Sequence, residues 1–212
     1  MLSTIELSKL IKRNGGQLLD AFPIEEACQY QHLVRDLKVL DVKDHTLFQQ
    51  RYVQLYKLRG QGVNVVFLNR YFELMETYKQ PHRLELRILA SALWGIRPLR
   101  ALSPVQFRYL TFLANMIVAD FPIYNQPIAH LFGFKPPIQS RLDHRERLNI
   151  FLRFYQMLQR TYLEVGEGVE VKKVLIACKV KLKSANIELP KQKRLEMLLR
   201  VLADLHQKKV LV

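Results

Sequence analysis

Apolar residues recur every three or four positions along most of the chain, the spacing that builds one face of an α-helix. Ile5, Leu7, Leu10 and Ile11 mark a first helix, closed by Asn14-Gly15-Gly16. Pro23 opens a second over 24–40, with Glu25 and Glu26 placed favourably near its positive N-terminal end. A third, over about 44–59, carries Leu47, Phe48, Tyr52, Leu55 and Tyr56 on one side, and Gly60 and Gly62 break it. A fourth spans about 64–79 through Phe67, Leu68, Tyr71, Phe72 and Met75. Pro81 opens a fifth that runs to Trp94 and stops at Gly95. Beyond the middle of the chain a long helix is predicted over 142–163, ended by Gly166 and Gly168, then two basic helices over 171–184 and 190–206.

Period-two alternation is scarce. Residues 63–67 form one short β-prone run and 179–183 another. The wider window around the second favours helix, because Val171, Val174, Leu175, Cys178 and Leu182 fall at i, i+3, i+4, i+7 and i+11. The expectation is an all-α fold: a compact single domain of about ten helices, with a core over 1–168 and a basic helical pair over 169–212 packed on it.

Residues 103–137 read as a buried helix, a Pro-anchored turn and a second helix. Ser103 is a good N-cap, Pro104 suits the first helical position, and Gln106 completes a capping-box pattern. Val105, Tyr109, Leu110, Phe112, Leu113, Met116, Ile117 and Val118 cover nearly the whole circumference, which predicts a central helix. Asp120-Phe121-Pro122 stops it. Ile123, Tyr124, Ile128, Leu131 and Phe132 resume the apolar pattern, with Gly133 as C-terminal cap. Asn125, within the turn, is expected to hydrogen-bond its own local backbone.

With 212 residues and 49% hydrophobic content, one sizeable core is sufficient. The longest largely apolar run, 110–118, is too short to span a bilayer. The first sixteen residues lack a secretory signal's pattern. Cys28 and Cys178 stand alone, without metal spacing, and read as reduced thiols of a cytoplasmic protein. The six histidines pair with no Cys, Asp or Glu at a metal-ligand spacing, and there is no Gly-rich phosphate loop or nucleophile motif, so no metal or cofactor is predicted.

The formal net charge of +14 changes the picture because it is unevenly spread. Residues 1–50 carry 6 basic and 7 acidic side chains, whereas residues 171–212 carry 11 and 3. Concentrated positive charge attracts polyanions, and phosphate contacts dominate nucleic-acid affinity. Lys172, Lys179 and Lys183 share one edge of a helix. With Lys173, Lys191, Lys193 and Arg194 they make a candidate phosphate-tracking strip; the competing reading is an ordinary solvated face. Arg97, Arg100 and Arg108 form a second basic group, suited by the forked guanidinium to phosphate oxygens.

The turn Pro122-Ile123-Tyr124-Asn125, with the buried helix before it and Ile128 and Leu131 after it, resembles the helix-hairpin-helix DNA glycosylase superfamily and related proteins with a PIYDS-like turn. In that superfamily an aspartate in the turn assists base excision. Asn125 stands in its place here, 99–104 has no GxG hairpin, and no catalytic lysine or cysteine cluster can be assigned. What the resemblance implies is an all-α fold and nucleic-acid contact rather than intact glycosylase chemistry. Separately, Arg200 and His206 have a spacing similar to the Arg-x4–6-His motif of HEPN ribonucleases, with Val201 where that family has a polar residue. Three functions follow in order: a non-enzymatic nucleic-acid-binding protein, a protein-interaction subunit of a nucleic-acid-processing or defence assembly, and a divergent glycosylase or nuclease. An exposed apolar patch favours the second. A polar pocket uniting Asn125, Asp120 and His130 favours the third.

Overall fold

Ser3 and Asp143 each begin a helix by the same device. The side chain accepts from the backbone N–H three residues on, and Glu6 or Glu146 returns a hydrogen bond to the cap. Helices account for most of the described residues. The computed structural model describes residues 2–58, 63–80, 84–94, 104–138, 142–208 and 210, and 75% of these are helical. Among the described residues there are eleven helices and no strand: α1 (Thr4–Arg13), α2 (Gly15–Asp20), α3 (Ile24–Val39), α4 (Thr46–Tyr56), α5 (Val65–Tyr78), α6 (Leu86–Trp94), α7 (Pro104–Ile117), α8 (Gln126–Leu131), α9 (His144–Glu167), α10 (Val169–Ser184) and α11 (Lys191–Gln207). They form one compact domain, as the periodicity predicts. No described helix is long and apolar enough to cross a membrane.

Asn14 caps α1 as expected, but Gly15 and Gly16 open a further short helix, α2, that the periodicity does not predict, so the glycine at 15 is not a terminator. The reason is a close approach: a Cβ on Gly15 would lie 3.2 Å from Val174 Cγ2 of α10, so a glycine lets the two helices meet. The Ser103 cap, Gly60, Gly62, Pro81 and Gly95 lie outside the described residues.

Helix α7 is central, as its apolar circumference requires. Phe107, Leu110, Leu113, Ala114 and Met116 are buried, and it packs against α5 and α6. Helix α11 lies against α8, α9, α10 and α2, while α10 packs on α1, α2 and α9. The two C-terminal helices are therefore woven into the same core as the rest. Aromatic rings fill the space around α7. Phe48, Tyr52, Tyr71 and Phe72 meet on one side, and Phe107, Tyr124, Phe151 and Tyr155 on another, mostly in tilted or edge-on pairs. Buried hydroxyls tie helices together. Tyr52 and Tyr71 share a 2.8 Å hydrogen bond, and Tyr71 Oη donates to the Tyr109 carbonyl at 2.8 Å. Tyr155 Oη donates to the Pro122 carbonyl at 2.7 Å.

A connected set of buried charges crosses the core. Lys193 of α11 is 1% exposed. Its Nζ donates to Glu196 Oε2 at 2.8 Å and to Asn115 Oδ1 of α7 at 2.6 Å, and lies 4.1 Å from the centre of the Tyr30 ring of α3. Glu196, equally buried, also pairs with Arg200 at 2.5 Å, and Arg200 reaches Glu26 of α3. Two cations and two carboxylates thus balance. Burial works against the Arg200 charge, but Glu196 and Glu26 outweigh it and raise its pKa. Burial likewise opposes ionisation of Glu26, and Arg200 overcomes it.

Removing one partner of a buried pair leaves an uncompensated charge and costs about 3–5 kcal/mol. Lys193→Met should therefore lower stability on that scale in urea denaturation. The double variant Lys193→Met/Glu196→Leu should lose much less than the two single losses combined. Additive losses, or a Lys193→Met effect within about 0.5 kcal/mol, the range of an ordinary surface substitution, would contradict the buried pairing.

Alkaline stability follows from the tyrosines. Burial, above all, raises the pKa of Tyr30, Tyr52, Tyr56, Tyr71, Tyr155 and Tyr162 above the usual value near 10. Their contribution to stability is complete below pH 10 and is lost as pH rises above it, because only the unfolded chain ionises there. Each tyrosine removes about 1.4 kcal/mol per pH unit in that window. Lys193, whose pKa burial lowers, acts with the opposite sign at somewhat lower pH and is a single group. Tyrosinate absorbance should thus appear cooperatively with unfolding above pH 10; gradual appearance with helical circular dichroism retained would refute this.

Candidate nucleic-acid interface and the Asn125 turn

Helices α10 and α11 are joined by a tight turn whose geometry comes from Asn186. Its φ of 57° is a left-handed conformation that asparagine tolerates. The turn closes when Asn186 N–H donates to Lys183 O and Ile187 N–H to Leu182 O. Gln31 of α3 accepts from the Glu188 N–H and fixes the turn to the body of the protein. The seven basic residues of the predicted strip thereby acquire defined positions, and the structure sorts them into three groups.

The first group is neutralised. Lys172 and Lys191 both hold Glu167, at 2.9 and 2.6 Å. Hydrogen bonds from Lys191 and then Lys172 pull the Glu167 carboxyl down to about 2. Lys173 shares Glu170 with Lys12, each at 3.4 Å. The second group is Lys193 alone. The strip places it among phosphate-facing residues, and the structure corrects that: its ammonium is buried and spent on Glu196 and Asn115. The third group is Lys179, Lys183 and Arg194, which line a groove of about 380 Å³ together with Glu188, Leu182 and Pro190. Lys179 and Lys183 are exposed, lie one helical turn apart, and make no ion pair among the described residues. Arg194 is half-buried, and its guanidinium donates to the Leu189 carbonyl at 2.7 Å. That contact fixes the fork at the groove edge, and its Nε is buried without a partner.

Of the second basic group, Arg97 and Arg100 lie outside the described residues. Arg108 is half-buried on α7, its guanidinium 4.8 Å from the centre of the Phe112 ring. It is remote in structure from the α10–α11 groove in the sense that the two share no lining residue.

Asn125 is the N-cap of α8. Its Oδ1 accepts from the Ile128 N–H at 2.7 Å, the local bond expected of it. At the other end of α8, Gly133 has φ 65°. The Gly133 N–H donates to His130 O and the Phe134 N–H to Ala129 O, closing the helix with a glycine-dependent cap. The turn before α8 is secured by Thr111, whose hydroxyl accepts from the Tyr124 N–H at 3.0 Å. Asn125 also lines a cleft with Glu26, Arg108, Arg200 and Asp204. Asp120 lines a different, smaller cavity with Glu167 and Lys191, and His130 is exposed, so the trio Asn125, Asp120 and His130 does not converge. Arg200 of the Arg-x4–6-His spacing is held by Glu26 and Glu196, while His206 is exposed.

Sequence reasoning overlooked Glu26, Tyr56, Lys57 and Asp204. One signal was available for the buried charges: Lys193, Glu196 and Arg200 fall at i, i+3 and i+7 among the leucines of α11. Among the described residues no group of three His, Cys, Asp or Glu side chains is arranged to hold a metal. No protein-family model, curated protein or solved structure matches the chain.

As an N-cap, Asn125 contributes about 1 kcal/mol. Asn125→Ala should lower thermal stability by that amount, and Asn125→Asp should restore it, since aspartate accepts the same N–H. Equal loss in both variants would show that the cap is not what the residue supplies.

Proposed function

We propose that this protein binds nucleic acid through the phosphate backbone, without strong sequence readout, at the α10–α11 groove. The observation that carries the reading is the pair Lys179 and Lys183: two exposed ammonium groups one turn apart, in no ion pair among the described residues, beside the fixed guanidinium of Arg194. Neighbouring lysines are already neutralised by Glu167 and Glu170 and add less to the field. Such an arrangement neutralises phosphates and contains no group placed to read base edges. The net charge of the C-terminal segment and the weak likeness of the turn at 122–125 to a DNA-repair superfamily support the same reading.

A second reading has its own observation. Ile176 and Val180 are 63% and 65% exposed on α10, interleaved with the lysines. Exposed apolar side chains beside cations fit a protein partner as well as a polyanion.

Fluorescence anisotropy with single- and double-stranded DNA and RNA separates the two. Each neutralised phosphate contributes about 0.7–0.9 to the log–log salt slope. Lys179→Ala/Lys183→Ala should weaken binding across sequences and flatten that slope by about 1.4–1.8, with thermal stability nearly unchanged. Lys172→Ala, which removes a paired cation, should flatten it less. Absence of binding to every nucleic acid at low salt, or an unaltered slope in the double variant, defeats the nucleic-acid reading and leaves the protein-partner reading in place.

A further inference from the structure

A second polar site lies away from the α10–α11 groove. The end of α4, the middle of α7, the start of α8, the start of α3 and the end of α11 enclose a cleft of about 420 Å³. The volume is within the range of small-molecule sites. Its inner wall offers hydrogen-bond donors.

Tyr56 is 4% exposed, lines the cleft, and its hydroxyl has no partner among the described residues. A buried hydroxyl left without a hydrogen bond is costly, and native structures rarely tolerate one without a reason. Burial raises its pKa and keeps it a neutral O–H donor within the cleft wall. Arg108 makes no ion pair among the described residues. Its charge rests on the Phe112 ring, which also meets the Tyr56 ring at 4.5 Å, and its Nε is buried without a partner among the described residues. Asn125 has committed Oδ1 to the Ile128 N–H, which leaves its amide N–H groups to donate. The one buried carboxylate on the wall, Glu26, is taken by Arg200.

Backbone conformation adds an independent observation. Lys57 ends α4 with φ 49° and ψ 48°, the left-handed position where glycine is the ordinary residue. The Lys57 N–H donates to Gln54 O and the Leu58 N–H to Val53 O, so the position is imposed by the helix end. A lysine there costs on the order of 1 kcal/mol relative to glycine, and strain of this kind gathers at functional sites. What the lysine adds is an ammonium at the rim of the cleft. Half-buried Leu55 and Pro127 supply an apolar flank.

The geometry points to a binding site for a small organic oxyanion. Its phosphoryl or carboxylate group is received by Arg108, Lys57, the Tyr56 hydroxyl and the Asn125 amide, and its apolar body lies against Leu55 and Pro127. Asp204 opposes it at the mouth. The ligand is larger than inorganic phosphate because the cleft is larger than the donor cluster requires. This site does not depend on the nucleic-acid reading.

Isothermal titration calorimetry of the full chain at low salt tests it with four probes. Phenyl phosphate and benzoate pair an oxyanion with a ring, inorganic phosphate has no ring, and benzyl alcohol has no charge. Phenyl phosphate or benzoate should bind more tightly than inorganic phosphate, and benzyl alcohol should not bind. The better of the two identifies the oxyanion as phosphoryl or carboxylate. Arg108→Gln should weaken binding by about tenfold or more, the scale of a lost charge-assisted hydrogen bond. Lys57→Gly should weaken it several-fold while leaving thermal stability equal or higher, since glycine relieves the left-handed strain, so loss of binding there is not loss of fold. Asp204→Asn should tighten it. Failure of both ring-bearing anions to bind, or affinities unchanged in Arg108→Gln and Lys57→Gly, overturns the proposal. Binding lost only in Lys179→Ala/Lys183→Ala overturns it too, because the anion then occupies the α10–α11 groove.

Discussion

The arrangement depends on a buried ammonium. Lys193 enters the core from the first turn of α11, where it can be tolerated only if every donor finds an acceptor. Glu196 answers from the same helix, Asn115 from α7, and the Tyr30 ring from α3. Satisfying one charge therefore fixes three helices at once. Asn115 is itself held, since its amide donates to the Phe121 carbonyl at 2.7 Å and its backbone carbonyl accepts from the Tyr30 hydroxyl. The apolar majority of the core supplies the driving force for burial, but a leucine-rich helix such as α11 has several rotations that bury similar area. A charge that must meet a particular carboxylate and a particular amide selects one of them.

The same requirement explains why the turn after α7 is rigid. Asn115 ties the end of α7 to Phe121, Thr111 ties it to Tyr124, and the Tyr155 hydroxyl of α9 closes on Pro122. Asn125 then starts α8 from a chain segment whose preceding residues are already fixed. The neutral amide has a consequence in this setting. It accepts one local N–H as an aspartate does, yet it turns donors rather than a negative charge toward the cleft.

Helix locations were legible because their periodicity and caps are local. The apolar circumference of α7 announced its burial, and the Val171 register separated α10 from a strand reading. What could not be read was any feature decided by distant residues. Gly15 looks like a terminator until Val174 is seen beside it. Lys193 looks like its exposed neighbours, since residue type alone favours the surface. Only its register with Glu196 and Arg200 hinted otherwise. The strip of cations could be listed from the sequence, but the carboxylates that pair with several of them come from α9 and the start of α10, outside the strip being read. The cleft draws on five separated segments, and neither the strain at Lys57 nor the orphaned Tyr56 hydroxyl leaves any trace in composition or spacing.

Helix α11 joins the two polar surfaces. Its first turn brings Arg194 to the groove with α10, and its last turns bring Arg200 and Asp204 to the cleft. Between them lies the buried Lys193–Glu196 pair. Arg200 belongs to both the buried set and the cleft wall, so its replacement disturbs folding and ligand contact together and cannot distinguish them. Lys57 and Asp204 are free of that ambiguity, because each contributes charge at the rim and neither holds the core. Lys179 and Lys183 have the same independence at the other end. The residues that can report on function are therefore those that the buried network does not need. Sorting cations by whether a core carboxylate already claims them is what identifies those residues in this chain.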